Sequence, residues 1–108
     1  MTKQYKRGDK AVFYVTFLDE EGGDSPTVTD PKITITHYNG STIVTDISLQ
    51  DLIQIGTTNQ YYYEWSISAG ADYGTYLVTY NANIDGYDIE GDESFQITPE
   101  VEIRGGII

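Results

Sequence analysis

Two antiparallel β-sheets packed face to face are what this 108-residue sequence predicts, and three observations carry the prediction. Apolar residues recur at every second position in almost every segment. Turn-forming residues interrupt that pattern at short, near-regular intervals. No convincing long helix or internal repeat is found. The result is an all-β chain of 7-8 short strands, which must close over itself in two layers to bury one face of each.

The strands follow in order. A short one includes Tyr5 and ends at the Arg7-Gly8-Asp9 turn. Lys10 to Leu18 then points Ala11, Phe13, Val15 and Phe17 to one side, and Val12, Tyr14 and Thr16 to the other. Asp19 to Pro26 reads as a loop. Lys32 to Tyr38 alternates Ile33, Ile35 and His37 with Thr34, Thr36 and Tyr38. Asn39-Gly40 is a strong hairpin signal, and Ser41 to Ile47 returns beside it. Leu49 to Ile55 is readable as a short strand or a single helical turn. After the Gly56 to Asn59 turn, Gln60 to Ile67 sets Tyr61, Tyr63, Trp65 and Ile67 on one face. Ser68 to Gly74 forms a corner before the Tyr76 strand. Asn83 to Asp92 reads as a last long loop, Ser94 to Thr98 as the last strand, and Pro99 stops it. The predicted core is Phe13, Val15, Phe17, Ile33, Ile35, Tyr63, Trp65, Tyr76, Val78, Tyr80, Phe95 and Ile97, with Trp65 its largest contributor.

Gly74-Thr75-Tyr76 sharpens the fold class. A tyrosine opening the penultimate strand at a corner between sheets marks an immunoglobulin-like sandwich. With Tyr5-x-x-Gly8-Asp9, the Lys10 to Leu18 strand, the Asp19…Gly23 loop and Phe95-x-Ile97, this stretch resembles the immunoglobulin-like module of tailed-bacteriophage virion proteins. That module occurs in upper-baseplate and capsid-decoration proteins, and the pattern is similar to macroglobulin-type domains as well. The resemblance covers about residues 5 to 98. It implies a sandwich over 1-98, a C-terminal extended tail over 99-108, and a non-enzymatic virion structural or accessory protein made in the host cytoplasm. Its expected partners are other virion proteins, in an oligomeric or assembly-bound state. The same resemblance supplies no catalytic residues.

Composition narrows the function classes. Seventeen acidic residues face six basic ones, a net charge of −11. Such a surface repels phosphate backbones and anionic lipid headgroups, so neither nucleic acid nor membrane is an expected partner. The chain has no cysteine, which excludes disulfides, zinc–thiolate sites and thiol nucleophiles. A single histidine, His37, without a nucleophile elbow or a phosphate-cradling glycine loop, makes no catalytic constellation. It reads as a partly exposed sheet residue.

Four surface features remain. Asp19, Glu21 and Asp24 on one loop and Asp88, Glu90 and Asp92 on the other are oxygen ligands of the kind calcium takes. The same residues also serve simply to keep loops solvated. Lys3, Lys6, Arg7 and Lys10 form a basic pole opposite, with Lys6 and Arg7 as candidate interface residues. The tail offers Val101, Ile103, Ile107 and Ile108 as an extended segment able to join a neighbour's sheet edge. Tyr62, with Tyr14 or Tyr38, provides exposed rings, which favour the alternative of a carbohydrate- or cell-surface-binding module.

Overall fold

A computed structural model describes residues 3–19, 21–23 and 25–99. Among them are eight strands: β1 (Lys3–Tyr5), β2 (Lys10–Thr16), β3 (Val28–Tyr38), β4 (Ile43–Asp51), β5 (Ile53–Gln54), β6 (Gln60–Ser66), β7 (Gly74–Ile84) and β8 (Tyr87–Ile97). They make a five-stranded sheet, β1-β8-β7-β3-β4, and a three-stranded sheet, β2-β6-β5. All neighbours are antiparallel except β1, which runs parallel to β8. This is the strand order of an immunoglobulin-like sandwich, in which the last two strands and the third share one sheet and the second faces them from the other.

Period two places the core. Ile33 and Ile35 from β3, Tyr76, Val78, Tyr80, Ala82 and Ile84 from β7, and Phe95 and Ile97 from β8 face the opposite layer, which supplies Ala11, Phe13, Phe17, Tyr61 and Ile67. Tyr76 and Phe95 stack with ring centroids 5.1 Å apart at 16°. Tyr5 closes the layer edge-on against Phe13 and Phe95. Burial of such rings dominates the energetics, at about 3–5 kcal/mol lost for a phenylalanine truncated to alanine.

Three expectations are corrected. Trp65 is half-buried and packs on the rim of the cluster, 6.0 Å from Tyr76, so it is not the centre of the core. It stands one residue from the end of β6, where the small sheet runs out. His37 is buried, with 6% of its surface exposed. Finally, Asn83 to Asp92 is no loop. Strands β7 and β8 pair continuously from Gly74↔Ile97 to Ile84↔Tyr87 and turn on Asp85-Gly86 alone. Both turn residues have positive φ, 51° and 92°, the signature of a type I′ hairpin turn.

The ambiguous segment resolves as strand. β4 continues to Asp51, and the chain then crosses to the other sheet as β5. Buried Leu52 pins the crossover, its N–H donating to the Pro31 carbonyl at 3.0 Å.

Candidate functional site: an open flank of the sandwich

Both sheets end on the same side of the molecule. On that flank β1 covers only Phe95 to Ile97 of β8, through the pairs Lys3↔Phe95, Gln4↔Gln96 and Tyr5↔Ile97. The preceding β8 residues, Tyr87 to Ser94, have β7 on one side and no strand on the other among the described residues. Among the described residues β2 likewise pairs only with β6. A cleft of about 210 Å³ separates the two edges, lined by Lys3 and Tyr5, Val12 and Tyr14 of β2, and Glu93 and Ser94 of β8. The Tyr5 hydroxyl is buried beside it with no hydrogen-bond partner among the described residues.

The direction of the free backbone groups follows from register. The Thr98 N–H donates to the Tyr5 carbonyl, away from β7. Strand residues two apart share a direction, and the β7–β8 pairing has no register shift. The N–H and C=O groups of Asp88, Glu90 and Asp92 and the N–H of Ser94 therefore point outward, with no strand to pair them among the described residues. The Ser94 carbonyl faces Lys3 of β1, and the groups of Tyr87, Ile89, Gly91 and Glu93 bond to β7.

The side chains along this edge sort by face. Toward the core layer stand Tyr87, Ile89, Gly91 and Glu93. The small sheet stops short of the first two, leaving Tyr87 63% and Ile89 39% exposed beside Leu18 at 51%. These three line a hollow of about 250 Å³ with Asp19 and Ile84. Farther along, Glu93 accepts a hydrogen bond from Tyr80, and burial together with that carboxylate raises the Tyr80 pKa. On the outer face Asp88, Glu90 and Asp92 form a row. Asp88 accepts from Asn83 Nδ2 at 3.1 Å and Glu90 from Asn81 Nδ2 at 3.3 Å. Among the described residues none of the three forms an ion pair.

The six carboxylates proposed from sequence for calcium are therefore not six loop residues. The two connections do meet, since the Asp85 N–H donates to Thr27 O and the Thr27 N–H to Asp85 Oδ1. However, Asp88, Glu90 and Asp92 stand on β8 at alternate positions along its length. Asp19 accepts hydrogen bonds from the N–H groups of Glu21 and Gly23, which shapes the turn it sits in. Glu21 is exposed, and Asp24 lies outside the described residues. Among those described, no cluster of three or more His, Asp or Glu side chains is placed to hold a metal.

The basic pole is largely engaged within the chain. Lys6 Nζ donates to Thr98 Oγ1 at 2.8 Å and to Pro99 O at 3.2 Å, tying down the end of β8. Arg7 Nε donates to Ala71 O at 2.6 Å, and the guanidinium lies 3.9 Å over the Tyr73 ring. Gly8, at φ 84°, completes a tight turn closed by Asp9 N–H to Lys6 O, a backbone role that accounts for the Arg-Gly-Asp tripeptide. Val101, Ile103, Ile107 and Ile108 lie outside the described residues.

At the corner end, sequence reasoning missed a polar cluster. His37 Nδ1 lies 2.7 Å from Asp46 Oδ2, and its Nε2 lies 2.8 Å from Asp72 Oδ2. The imidazole rests on the Tyr76 ring at 4.4 Å. The β3–β4 register slips between Ile35 and Thr36, whose partners are Ile47 and Thr45. This bulge makes Asp46 the extra residue and turns it toward the histidine. Burial opposes a charge on His37, but the two carboxylates together outweigh it, and its pKa is raised. Beside it the Tyr76 hydroxyl donates to Asp72 O at 2.7 Å, the tyrosine corner that Gly74-Thr75-Tyr76 announced. Burial pushes the pKa of that hydroxyl up to about 12.

Comparison with protein-family models, with curated proteins and with solved structures returns no match to this chain.

Proposed function

We propose that this chain is a non-enzymatic assembly module, a structural or accessory component of a tailed-phage particle, in capsid decoration or at the tail or baseplate. One observation supports the docking role above the others: among the described residues no strand pairs the outward backbone groups of β8 from Asp88 to Asp92. A sheet edge of that length offers main-chain hydrogen bonds to another protein. The sequence resemblance stated above supplies the particle. Purified particles from a culture producing this chain test the reading, by quantitative mass spectrometry of the sedimented fraction. A fixed copy number per particle is the expected result; recovery only in the unsedimented fraction overturns the virion assignment.

A second reading, carbohydrate or cell-surface binding, draws on a specific pair. Tyr14 and Tyr62 lie across from each other on the outer face of the small sheet, with ring centroids 6.3 Å apart. Aromatic faces of this kind stack on sugar rings. Saturable glycan binding lost in Tyr62→Ala would favour this reading over assembly.

A further inference from the structure

We infer that the outer side of β8, between Asp88 and Ser94, accepts an added strand from a partner protein in which basic residues alternate with aliphatic ones. This rests on the assembly reading above and gives its partner a chemistry.

A strand laid along this edge must satisfy three features of β8 at once. Its backbone bonds to the outward N–H and C=O groups of Asp88, Glu90 and Asp92 and to the N–H of Ser94, whose carbonyl faces Lys3. The side chains it turns toward the core layer extend the uncovered surface of Tyr87, Ile89 and Leu18, so they gain by being aliphatic. The side chains it turns outward stand beside Asp88, Glu90 and Asp92, cross-strand at about 5 Å. Successive acids in that row are about 7 Å apart, within the roughly 8 Å screening length at physiological salt. The row therefore acts as one negative field, and lysine or arginine at alternate positions complements it.

The same charges decide against two simpler occupants. Pairing β8 with β8 of a second copy would set two acidic rows against each other, which like charges directly opposite disfavour. The chain's own tail alternates Val101 and Ile103 with Glu102 and Arg104, so it offers one acid and one base where three acids await. Nor do the cations at the basic pole answer them: Lys6 and Arg7 are held by Thr98, Pro99, Ala71 and Tyr73, Lys10 pairs with Glu64, and Lys3 lies over the Tyr5 ring.

The test titrates the full chain with a labelled peptide of about eight residues, alternating lysine and valine, and follows anisotropy and amide hydrogen exchange. Saturable binding is expected, with slowed exchange at Asp88, Glu90, Asp92 and Ser94. A glutamate-for-lysine peptide should bind about tenfold more weakly or worse, the sum of three exposed pairs of ordinary strength. Asp92→Pro removes an outward N–H without touching the β7 ladder, so binding should be lost while the fold persists. Should that variant unfold, the double variant Glu90→Lys, Asp92→Lys keeps every backbone donor and should transfer preference to the acidic peptide. No saturation by the basic peptide, or binding undiminished in Asp92→Pro and indifferent to the charge swap, overturns strand addition. Self-association of the chain that Asp92→Pro abolishes overturns it as well, in favour of a second copy. Particle incorporation is measured separately, so incorporation without peptide binding sinks this inference alone.

Discussion

At its C-terminal end β8 lies between two strands, and Phe95 and Ile97 are exposed by no more than 2%; at its start Tyr87 is 63% exposed. One strand thus passes from the most enclosed part of the sandwich to its least enclosed. The difference is not in backbone pairing with β7, which is continuous. It lies in what covers the other edge and the inner face. β1 and the rings of Tyr5, Phe13 and Tyr76 enclose Phe95, whereas the small sheet ends before it can enclose Tyr87 and Ile89. The corner beside Phe95 also satisfies its polar groups internally, through His37, Asp46, Asp72 and the Tyr76 hydroxyl. The β8 edge leaves its polar groups to solvent or a partner. Where apolar burial and hydrogen bonding close on themselves the chain gains stability; where both stay open it gains a surface.

Truncation at the two ends of β8 should separate these roles most sharply. Phe95→Ala removes a ring from a close-packed cluster and should cost about 3–5 kcal/mol, enough to threaten folding. Ile89→Ala removes a side chain already in partial contact with water and should cost less than about 1 kcal/mol. Denaturant unfolding followed by Trp65 fluorescence measures both. Similar losses at the two positions would mean that the hairpin tip is enclosed after all.

The histidine cluster comes next in size. A protonated ring donates to both Asp46 and Asp72, but a neutral ring has only one N–H and can satisfy only one of them. With the folded pKa raised above the unfolded value of about 6.5, the contribution is fully present below the unfolded pKa. It is lost as pH rises through the folded pKa. Stability should therefore decline on the alkaline side of pH 6.5, and Asp46→Asn should flatten that decline. His37→Ala should cost about 2–4 kcal/mol through lost packing and the loss of the donor to the largely buried Asp46 carboxylate. Melting temperatures across pH 5 to 9 for the three proteins test this, and parallel profiles would remove His37 as the titrating group.

Smaller than the histidine effect is that of the turn that sets the hairpin. Gly86 has φ 92° and open space around a built Cβ, so Gly86→Ala meets no clash and pays only the left-handed backbone strain, about 1 kcal/mol. An unchanged unfolding midpoint would show that the turn relaxes without cost.

Much of this was legible from residue order. The alternation in Lys10 to Leu18, Lys32 to Tyr38 and Tyr76 to Tyr80 predicted both layers, and Gly74-Thr75-Tyr76 predicted the corner. Asp85-Gly86 carried the hairpin signal too, but the acidic, polar run from Asp88 to Asp92 resembles loop composition and obscured it. Edge strands carry charge that discourages unwanted pairing, and here the facing sheet stops short of residues 87–94, so nothing forces an apolar alternation there. That is the physical reason composition misleads there, and why the open flank was not anticipated.

Local pattern alone determined that this chain makes pleated strands, which side of each strand is apolar, and where most of its turns fall, because those properties depend on neighbours two to four residues away. Tertiary structure decided the rest. It set Trp65 at the rim, brought Asp46 and Asp72 to His37 across 9 and 35 residues of chain, and left the outer edge of Tyr87 to Ser94 without a strand among the described residues. Each of these depends on how far one sheet extends past the other, a length mismatch between distant segments that no short window of residues records.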